Sequence, residues 1–215
     1  MTAVRHEALR HSLPNVSRET VRRLAIFRAE FERWSQRINL TAGVEHALDE
    51  RHIVDSLQLL AIRPPVGRWV DVGTGGGFPG AILAAAEADH DAAITMIESN
   101  NKKAAFLRAV SLAMGSNARV LAERAEAVVA REDAPDTVSA RALAPLPKLL
   151  ALLEPWLENG TVGVFPKGRM AVEEIRAAEA DWGFECELHP SQTAADATIV
   201  TVRNLSRRSV KQANG

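Results

Sequence analysis

The sequence predicts an α/β fold in which a seven-stranded, mostly parallel sheet carries helices on both faces and follows an N-terminal helical cap. From about residue 66 to residue 205, short apolar segments of strand length alternate with segments of helical periodicity. Such alternation is typical of parallel sheets whose crossover connections are helices. Before residue 66, the apolar residues recur at helical spacing. The 215 residues suit one such domain with a modest extension.

Two amphipathic helices form the predicted cap. Between Ser17 and Leu40 the apolar residues follow one another at steps of three or four, which places Leu24, Phe27, Phe31, Trp34 and Ile38 on one face. A second helix, roughly from Val44 to Ile62, ends before Pro64-Pro65 because prolines stop a helix. We therefore divide the chain into a cap at 1–65, a sheet domain at 66–205 and a basic tail at 206–215 that we expect to be disordered.

Seven strands are predicted in the sheet domain: Trp69–Val72, Ala93–Glu98, Ala118–Ala122, Thr137–Ala140, Thr161–Phe165, Phe184–Leu188 and Ala197–Val202. The helices between them are expected near Pro79–Ala88, Lys102–Met114, Ala125–Arg131, Leu146–Leu157 and Ala171–Asp181, with Gly115 ending the second of these. In such a sheet, ligands bind at the carboxyl ends of the strands. The loops after Val72, Glu98, Ala122, Arg141 and Phe165 are therefore the places for functional residues.

The composition is that of an ordinary globular protein, with 47% hydrophobic and 25% charged residues. Cys186 is the single cysteine, which excludes an internal disulfide and a thiolate metal cluster. The first residues lack the apolar core of a signal peptide, and no apolar run is long enough to span a bilayer. We expect a soluble, cytoplasmic monomer without a bound metal or a membrane anchor.

Charge is distributed unevenly, although the formal net charge is only −1. Residues 1–40 hold eight arginines against four glutamates. After Asp196 the chain has no acid, yet it carries Arg203, Arg207, Arg208 and Lys211. Two basic ends that fold side by side would form a phosphate-binding surface. Solvated helix faces and a frayed tail account for the same pattern, so charge alone leaves both interpretations open.

The segment DVGTGGGFPG, at residues 71–80, has the pattern of a strand end, a glycine loop and a helix start. Gly73, Gly75 and Gly77 permit a tight turn and a close approach of a ligand to the backbone. Pro79 suits the first position of the helix, where its missing N–H group is not needed. The loop therefore predicts a cofactor site.

Two cofactor classes compete for this loop. Gly75, Gly77 and Gly80 satisfy the dinucleotide fingerprint GxGxxG, which is weak evidence alone. Against it, a dinucleotide frame would extend the strand through Gly73-Thr74, which are poor strand residues, and Pro79 would remove one N–H group from a pyrophosphate site. An acid two residues before three alternating glycines resembles the class I methyltransferase motif, which favours S-adenosylmethionine. A purely structural glycine turn remains a third interpretation.

Glu98 closes the second predicted strand. A carboxylate there can accept two hydrogen bonds from ribose hydroxyls, and each charge-assisted bond of this kind contributes about 1.5–3 kcal/mol. Both cofactor classes predict such an acid, so it does not discriminate between them. Its alternative role is to cap the following helix, although Ser99 or Asn100 can do so instead.

Beyond the glycine loop, the sequence resembles the bacterial glucose-inhibited division protein B family, also called RsmG. The segments that carry the likeness are Asn39-Leu40-Thr41, RHIVDS at 51–56, DVGTGGGFPG at 71–80, Lys102-Lys103 with Phe106-Leu107, residues 123–126, Ser139 with Arg141-Ala142, and Lys167-Gly168. The likeness extends from about Trp34 to Val202. The glycine loop is common to many methyltransferases, whereas its combination with RHxxDS and SARA is specific to this family.

The resemblance implies a Rossmann-like class I methyltransferase that transfers a methyl group from S-adenosylmethionine to N7 of a guanine in the 530 loop of 16S ribosomal RNA, leaving S-adenosylhomocysteine. The cofactor contacts expected from the loop and the resemblance together are Gly73, Gly75, Gly77, Phe78, Glu98, Ala125, Glu126 and Arg141. The residues expected to contact RNA are Arg51, His52, Arg141, Lys167 and Arg203. The implied partner is the 16S RNA or the small ribosomal subunit.

Several of these residues have a structural interpretation beside the functional one. His52, Asp55 and Ser56 share one helix face, and they either touch RNA or join the cap to the glycine loop. Arg141 and Lys167 suit phosphate contacts, but a surface salt bridge and a solvated lysine explain them as well. Residues 125–126 also suit the first turn of a helix. Trp34 and Trp69 fit the apolar core better than a base-stacking role.

The implied reaction needs no general base, because guanine N7 has a free lone pair and no proton to lose. Holding donor and acceptor in line supplies about 7–11 kcal/mol by itself. We therefore assign no catalytic residue. SARA at 139–142 replaces the Asn/Asp-Pro-Pro-aromatic motif of amino-directed methyltransferases, and Cys186 lies too far along the chain to serve as a cytosine-C5 nucleophile. A methyltransferase acting on another RNA, a protein or a small molecule, a nicotinamide enzyme and a non-catalytic RNA-binding module remain alternatives.

Overall fold

A computed structural model of the chain describes residues 16–40 and 51–208. Within them the elements, in chain order, are α1 (Arg18–Ser35), α2 (Arg51–Ile62), β1 (Arg68–Val72), α3 (Gly80–Glu87), β2 (Ala93–Ile97), α4 (Asn101–Met114), β3 (Arg119–Leu121), α5 (Ala125–Val129), β4 (Thr137–Ser139), α6 (Leu146–Leu157), β5 (Val162–Lys167), α7 (Ala171–Ala178), β6 (Trp182–Pro190) and β7 (Thr198–Arg207).

The seven strands form one sheet in the order β3-β2-β1-β4-β5-β7-β6. Strands β1 to β5 are parallel, whereas β7 runs antiparallel to both β5 and β6. The predicted seven-stranded, mostly parallel sheet is therefore confirmed. The chain moves outward from β1 to β3 and then returns to β4, so the strand order reverses between β1 and β4. Ligands of open α/β sheets bind at such a reversal.

Helices cover both faces of the sheet, as the alternating pattern predicts. One core cluster joins α5, α6 and α7 to the sheet, and it includes Leu150, Trp156 and Phe165. The opposite face is covered by α2, α3 and α4, with α1 packed on α3 and α4 from outside. Trp69 is 1% exposed in β1, which confirms its interpretation as a core residue.

The apolar stripe of α1 holds the cap on the domain. Ser17 caps the helix by accepting a hydrogen bond from the Thr20 N–H group at 3.0 Å. Phe27 and Phe31 are fully buried. The ring of Phe27 lies 6.2 Å from that of Phe106 on α4, edge to face. Such aromatic pairs add about 0.5–1.5 kcal/mol each beyond the area they bury.

One arginine of α1 is part of this packing and not of a basic surface. The Arg23 side chain is 9% exposed, and its guanidinium donates two hydrogen bonds of 2.7 Å to the Asp89 carboxylate. Its Nε atom also donates to the carbonyl of Met114 at 3.2 Å. These bonds raise the pKa of Arg23 and tie α1 to the ends of α3 and α4. The sequence shows the charge of Arg23 but not its burial.

Most predicted boundaries lie within one or two residues of the observed ones, and α6 has the predicted bounds. Helix α1 ends at Ser35, five residues before the predicted end at Leu40, because the Trp34 carbonyl accepts the N–H groups of Arg37 and Ile38 in a closing turn. Strands β6 and β7 are longer than predicted. They form an antiparallel hairpin at the sheet edge, where backbone pairing continues past the apolar residues.

Parts of three predictions lie outside the described residues: the start of the second cap helix, Thr41 of the first motif, and most of the tail. Strand β7 continues to Arg207, so two of its residues belong to the segment predicted as tail. Among the described helices, none combines the length and the apolar character that a bilayer crossing needs. The division into cap, domain and tail stays a prediction.

We expect Phe27→Ala to lower the free energy of unfolding by about 3–5 kcal/mol, because it leaves a cavity between α1 and the glycine loop. Chemical denaturation measures this loss. Leu112→Ala on α4 is the control, since Leu112 is 83% exposed and its truncation should change stability by less than about 0.5 kcal/mol. Equal effects of the two substitutions would contradict the role given to the stripe.

Candidate active site

The glycine loop follows β1 and turns over the end of β2. The N–H groups of Gly73 and Thr74 both donate to the Ile97 carbonyl, at 2.9 and 3.1 Å. Gly73, Gly75 and Gly77 have φ angles of +71°, +59° and +100°, which lie in the region that L side chains avoid. The turn that the sequence predicts at these three positions is therefore present.

The glycines of this loop serve two different surfaces. A Cβ atom on Gly76 would lie 2.7 Å from the Leu40 carbonyl oxygen, and one on Gly77 would lie 2.8 Å from the Phe27 ring. These two glycines are buried under α1, and the Gly77 N–H group donates to the Thr74 carbonyl at 3.0 Å. Gly77 therefore packs against the cap, and its N–H group is already used within the loop.

Gly73 and Gly75 are only partly buried and lie on the open side of the loop. A Cβ atom on Gly75 would meet nothing closer than the Gly73 carbonyl oxygen at 3.7 Å. On Gly73 it would lie 2.8 Å from the Leu143 side chain, which belongs to the loop after β4. Of the predicted cofactor glycines, these two border the cleft at the carboxyl ends of the strands.

Asp71 lies beneath the loop and is fully buried. Its Oδ2 atom accepts a hydrogen bond from the Gly80 N–H group at 2.9 Å, and its Oδ1 atom accepts one from the Ser139 hydroxyl at 2.7 Å. Trp69 completes the network by donating from its ring nitrogen to the Ser139 oxygen at 3.0 Å. Asp71 therefore joins β1, the start of α3 and the end of β4, and it does not face the cleft.

Burial raises the pKa of Asp71 from 3.8 to about 6, although hydrogen bonds from Ser139 and Gly80 and the nearby charge of Arg141 lower it. Desolvation therefore dominates over the hydrogen bonds.

Glu98, 9% exposed at the end of β2, accepts hydrogen bonds from the N–H groups of Gly75 at 2.9 Å and Asn100 at 2.7 Å. It thus ties the glycine loop to the neighbouring strand. The helix cap is Asn100, whose side chain accepts from the N–H groups of Lys102 and Lys103. Asn100 therefore caps the helix, which is one of the alternatives that the sequence left open. The Glu98 carboxylate lies beside the cleft.

Ala125 and Glu126 begin α5, one loop beyond β3. The Glu98 N–H group pairs with the Leu121 carbonyl at 3.0 Å, so β3 ends beside Glu98. Glu126 is exposed in the first turn of α5, and Ala125 is partly buried against the core. The structure therefore places both residues on the same edge of the sheet as Glu98, in the first turn of a short helix.

Phe78 and Arg141 meet between the cap and the end of β4. The Phe78 ring is 8% exposed and lies 5.4 Å from Phe27 and 5.3 Å from the ring of His52. The Arg141 guanidinium lies 5.9 Å above the Phe78 ring, and its Nη2 atom is 2.6 Å from Nδ1 of His52. The structure thus brings together three predicted site residues, with Phe78 packed beneath the other two. Arg51 is exposed at the start of α2.

The polar face of α2 makes contacts within the domain. The Ser56 hydroxyl donates to the His52 carbonyl at 2.6 Å, which keeps it within its own helix. Asp55 accepts a hydrogen bond from the Thr193 hydroxyl, and the Gln58 side-chain oxygen accepts one from the Gln192 N–H group at 2.9 Å. Both partners lie in the turn between β6 and β7, so this face fastens α2 to the hairpin.

The Lys167 side chain is buried and bonded within the protein. Its side chain is 8% exposed, and its Nζ atom lies 2.9 Å from the Glu174 carboxylate and 2.8 Å from the Ala144 carbonyl. Glu174 in turn accepts the Leu146 N–H group at 2.7 Å. Lys167 and Glu174 therefore hold the loop between β4 and α6 from both ends. The sequence prediction of a phosphate contact missed this arrangement, because nothing near Lys167 in the sequence indicates its partner.

The structure does not bring Arg203 to this site. Because β7 is antiparallel to β5, Thr198 pairs with Lys167 at the carboxyl end of β5, while Val202 pairs with Gly163 near its amino end. Arg203 and Arg207 therefore lie toward the opposite edge of the sheet. Arg207 pairs there with Glu154. The expectation that Arg203 borders the cleft is wrong, because the sequence alone does not show that the last strand runs antiparallel to β5.

Other basic residues lie on the carboxyl edge. Each parallel strand of the sheet is followed by a helix, so the first turns of these helices lie on that edge. Lys102 on α4, Arg124 before α5, Lys148 on α6 and Arg169 before α7 occupy these turns and are exposed. Together with Arg51 and Arg141 they form a basic rim around the cleft. Arg51 and Arg141 are among the predicted RNA contacts, whereas the other four residues are not.

A cavity of about 560 Å³ opens beside Arg141 at the carboxyl ends of β4 and β5. Its polar walls are Asp55 and Gln58 on α2, Arg141, Lys167, Glu174 and Thr198. Leu143, which packs on Gly73, forms the wall nearest the glycine loop. The cavity and the glycine loop are thus adjacent halves of one cleft, and this volume is typical of small-molecule sites.

Comparison with known proteins assigns the fold and site to a family. The profile of the rRNA small subunit methyltransferase G family matches residues 20–202. The chain belongs to this family. A ribosomal RNA small subunit methyltransferase G from Chelativorans sp. is 41% identical over 210 residues, which are 96% of this chain and all of that protein. One from Methylobacterium nodulans is 45% identical over 196 residues, covering 89% of this chain and 92% of that protein. The family predicted from RHxxDS and SARA is confirmed.

Solved structures agree in fold. An O-methyltransferase from Bacillus cereus in complex with S-adenosylhomocysteine superposes with a TM-score of 0.58 at 13% identity, covering 93% of this chain and 97% of that one. A ribosomal protein L11 methylase from Lactobacillus delbrueckii superposes with a TM-score of 0.56 at 14% identity, covering 75% and 81%. The Rossmann-like methyltransferase fold predicted for this family member is therefore confirmed.

The raised pKa of Asp71 predicts a specific pH dependence of stability. Between about pH 4 and pH 6 the folded protein binds the Asp71 proton more tightly than the unfolded chain does, so the free energy of unfolding falls as the pH rises through this window. A rise in pKa from 3.8 to about 6 corresponds to about 3 kcal/mol.

Denaturation of the wild type and of Asp71→Asn across pH 4–7 measures this contribution. The wild type should lose stability relative to the variant as the pH rises to about 6, and the difference should be constant above that pH. A difference that does not change with pH would contradict the raised pKa.

Proposed function

We propose that this protein transfers a methyl group from S-adenosylmethionine to N7 of a guanine in the 530 loop of 16S ribosomal RNA, by direct in-line attack without a general base. The observation that carries the proposal is the paired cleft, in which a glycine loop adjoins a cavity large enough for an RNA base in a member of the rRNA small subunit methyltransferase G family. The acceptor atom and the 530 loop are implied by the family resemblance.

The residues present fit S-adenosylmethionine. Gly75 leaves space above its backbone, the tip of the Leu143 side chain covers Gly73, and the Glu98 carboxylate binds the Gly75 N–H group. Carboxylates have about four acceptor sites, so Glu98 can accept from ribose hydroxyls in addition to its two N–H donors. Ala125 and Glu126 lie further along the same edge, where the adenine would be held. The cofactor supplies a methyl group on a positively charged sulfur.

The reaction has simple charge requirements. The N7 lone pair of guanine forms the new N–C bond, the C–S bond breaks, and its electrons remain on sulfur as the neutral thioether. The positive charge thereby moves from sulfur to the base. Of the two carboxylates in the cavity wall, Glu174 is paired with Lys167, so Asp55 is the one that would favour a base that becomes cationic. No proton moves, so orientation of the two reactants is the main requirement.

The substrate is proposed to be the 16S RNA, alone or in the small subunit, in the cytoplasm. The rim formed by Arg51, Lys102, Arg124, Lys148 and Arg169 provides positive charge around the cleft for RNA phosphates. Arg203 lies on the far edge of the sheet and is not part of this surface. We also propose that the enzyme acts as a monomer.

Gly73→Asp should abolish S-adenosylmethionine binding measured by calorimetry, because the new side chain displaces Leu143 and enters the cleft beside the glycine loop. The matched control is Gly115→Asp at the end of α4, where φ is +67° and nothing lies within 4 Å of an added Cβ atom. Both variants carry similar backbone strain, so only the first should lose the cofactor. Wild-type affinity in Gly73→Asp would contradict the assignment of the loop.

Mass spectrometry of 16S RNA from cells lacking the gene tests the acceptor. We expect loss of one 7-methylguanosine, which purified protein and S-adenosylmethionine restore to the RNA or to small subunits. Restoration should fail with Gly73→Asp and succeed with Gly115→Asp. Appearance of another methylated nucleoside, or of methylated protein instead, would contradict guanine N7 as the acceptor.

A further inference from the structure

We propose that the cavity beside Arg141 binds the target guanine and that Asp55 is the specificity-determining residue, accepting hydrogen bonds from the N1–H group and the 2-amino group of the base. The proposal rests on the proposed function, because it assigns the acceptor half of the same cleft.

The cavity lies where an acceptor base has to be. It opens at the carboxyl ends of β4 and β5, next to the strand reversal that marks ligand sites in such sheets. Leu143 forms its near wall and packs directly on Gly73. An RNA base reaches such a pocket only after leaving its stack, as bases modified by enzymes do. The edge of the base that faces Leu143 is then the edge presented to the methyl donor.

Asp55 lines this cavity from α2. It lies one helical turn beyond His52, and its carboxylate accepts from the Thr193 hydroxyl of the β6–β7 turn. Because His52 contacts Phe78 and Arg141 next to the glycine loop, we place the donor on the His52 side of the cavity and Asp55 on the other. In guanine, the N1 and N2 groups lie on the far side of the ring from N7. A base with N7 toward Leu143 therefore turns these two donors toward Asp55.

The Asp55 carboxylate has acceptor capacity that the protein does not use. Within the described residues, both of its side-chain hydrogen bonds, from the Thr193 hydroxyl and the Gln58 amide, arrive at Oδ1. No lysine, arginine or histidine of residues 16–40 and 51–208 forms an ion pair with it. The negative charge of a half-buried carboxylate that accepts only from neutral donors is stabilised by further N–H donors.

Glu174, the other carboxylate of the cavity, is already compensated. It is paired with Lys167 at 2.9 Å and accepts the Leu146 N–H group at 2.7 Å. Its role is to hold the loop that carries Arg141 and Leu143. Asp55 is therefore the better partner for the base.

A carboxylate at this place selects guanine. The Watson–Crick edge of guanine offers two adjacent donors, N1–H and the 2-amino group, whereas adenine offers an acceptor at N1. Adenine would leave the carboxylate facing a lone pair, which a site built for donors rejects strongly. Inosine keeps N7, O6 and N1–H but lacks the 2-amino group, so it removes one of the two hydrogen bonds and leaves the reacting atom unchanged.

The experiment compares 16S RNA that carries guanosine or inosine at the target position, assembled into small subunits. Wild-type enzyme should methylate the guanosine substrate with a kcat/KM higher on the order of 10- to 100-fold, the effect of one hydrogen bond to a charged group. Asp55→Ala should methylate the two substrates at equal, reduced rates. Asp55→Asn, which keeps the shape and can retain the Thr193 contact, should show an intermediate preference and provides the measurement if the alanine variant does not fold.

Asp133→Ala is the matched control, since Asp133 is exposed beside the start of β4, on the opposite edge of the sheet. It should keep the wild-type preference. A preference for guanosine that is unchanged in both Asp55 variants would overturn the role of Asp55, and so would a wild-type enzyme that does not distinguish the two substrates. In either case, methylation of the guanosine substrate by the wild-type enzyme would still support the proposed function. A wild-type enzyme that methylates neither substrate would overturn both.

Discussion

The buried carboxylate of Asp71 is the constraint on which the rest of the site depends. Removing a carboxylate from water is costly, and the rise of its pKa to about 6 reflects that cost. The hydrogen bonds from Gly80 and Ser139 offset part of it. In return, this one side chain of β1 binds the start of α3 and the end of β4, and it thereby fixes the glycine turn between β1 and α3. Because the loop is held from below, Gly73 and Gly75 stay at the border of the cleft, Gly73 beneath Leu143 and Gly75 open.

The cap fixes the same loop from above. Gly76 and Gly77 have no side chains because the Leu40 carbonyl and the Phe27 ring occupy that space. Phe78, the next residue, packs under His52 and Arg141. A displacement of α1 would therefore reach both the glycine loop and, through Phe78 and Arg141, the neighbouring cavity. The glycine repeat thus has two causes, ligand access at Gly73 and Gly75 and helix packing at Gly76 and Gly77.

Residue spacing in the sequence predicted the features that depend on residues close together in the chain. The strands, the glycine turn, the Gly115 helix end and the apolar stripe of α1 depend on spacing within about twenty residues, and they were found where the spacing placed them. Lys167 and Arg203 were predicted as RNA contacts, but their surroundings were not, because these depend on how elements pack and not on local spacing. Lys167 pairs with Glu174 only after α7 folds back, and the place of Arg203 follows from the antiparallel direction of β7. Asp55 was noticed in RHxxDS, but only the cavity shows what it faces.

The proposed transfer, which uses no general base, would depend on geometry, and the loop between β4 and α6 sets that geometry. Ala142 in this loop has a φ of +52°, a conformation that costs a non-glycine residue about 1–2 kcal/mol. The buried Lys167 and Glu174 hold the loop at Ala144 and Leu146, which stabilises this conformation. Leu143 is thereby pressed against Gly73, and Arg141 is directed toward His52. The ion pair therefore acts through position, because it holds the loop whose Leu143 lies between Gly73 and the cavity.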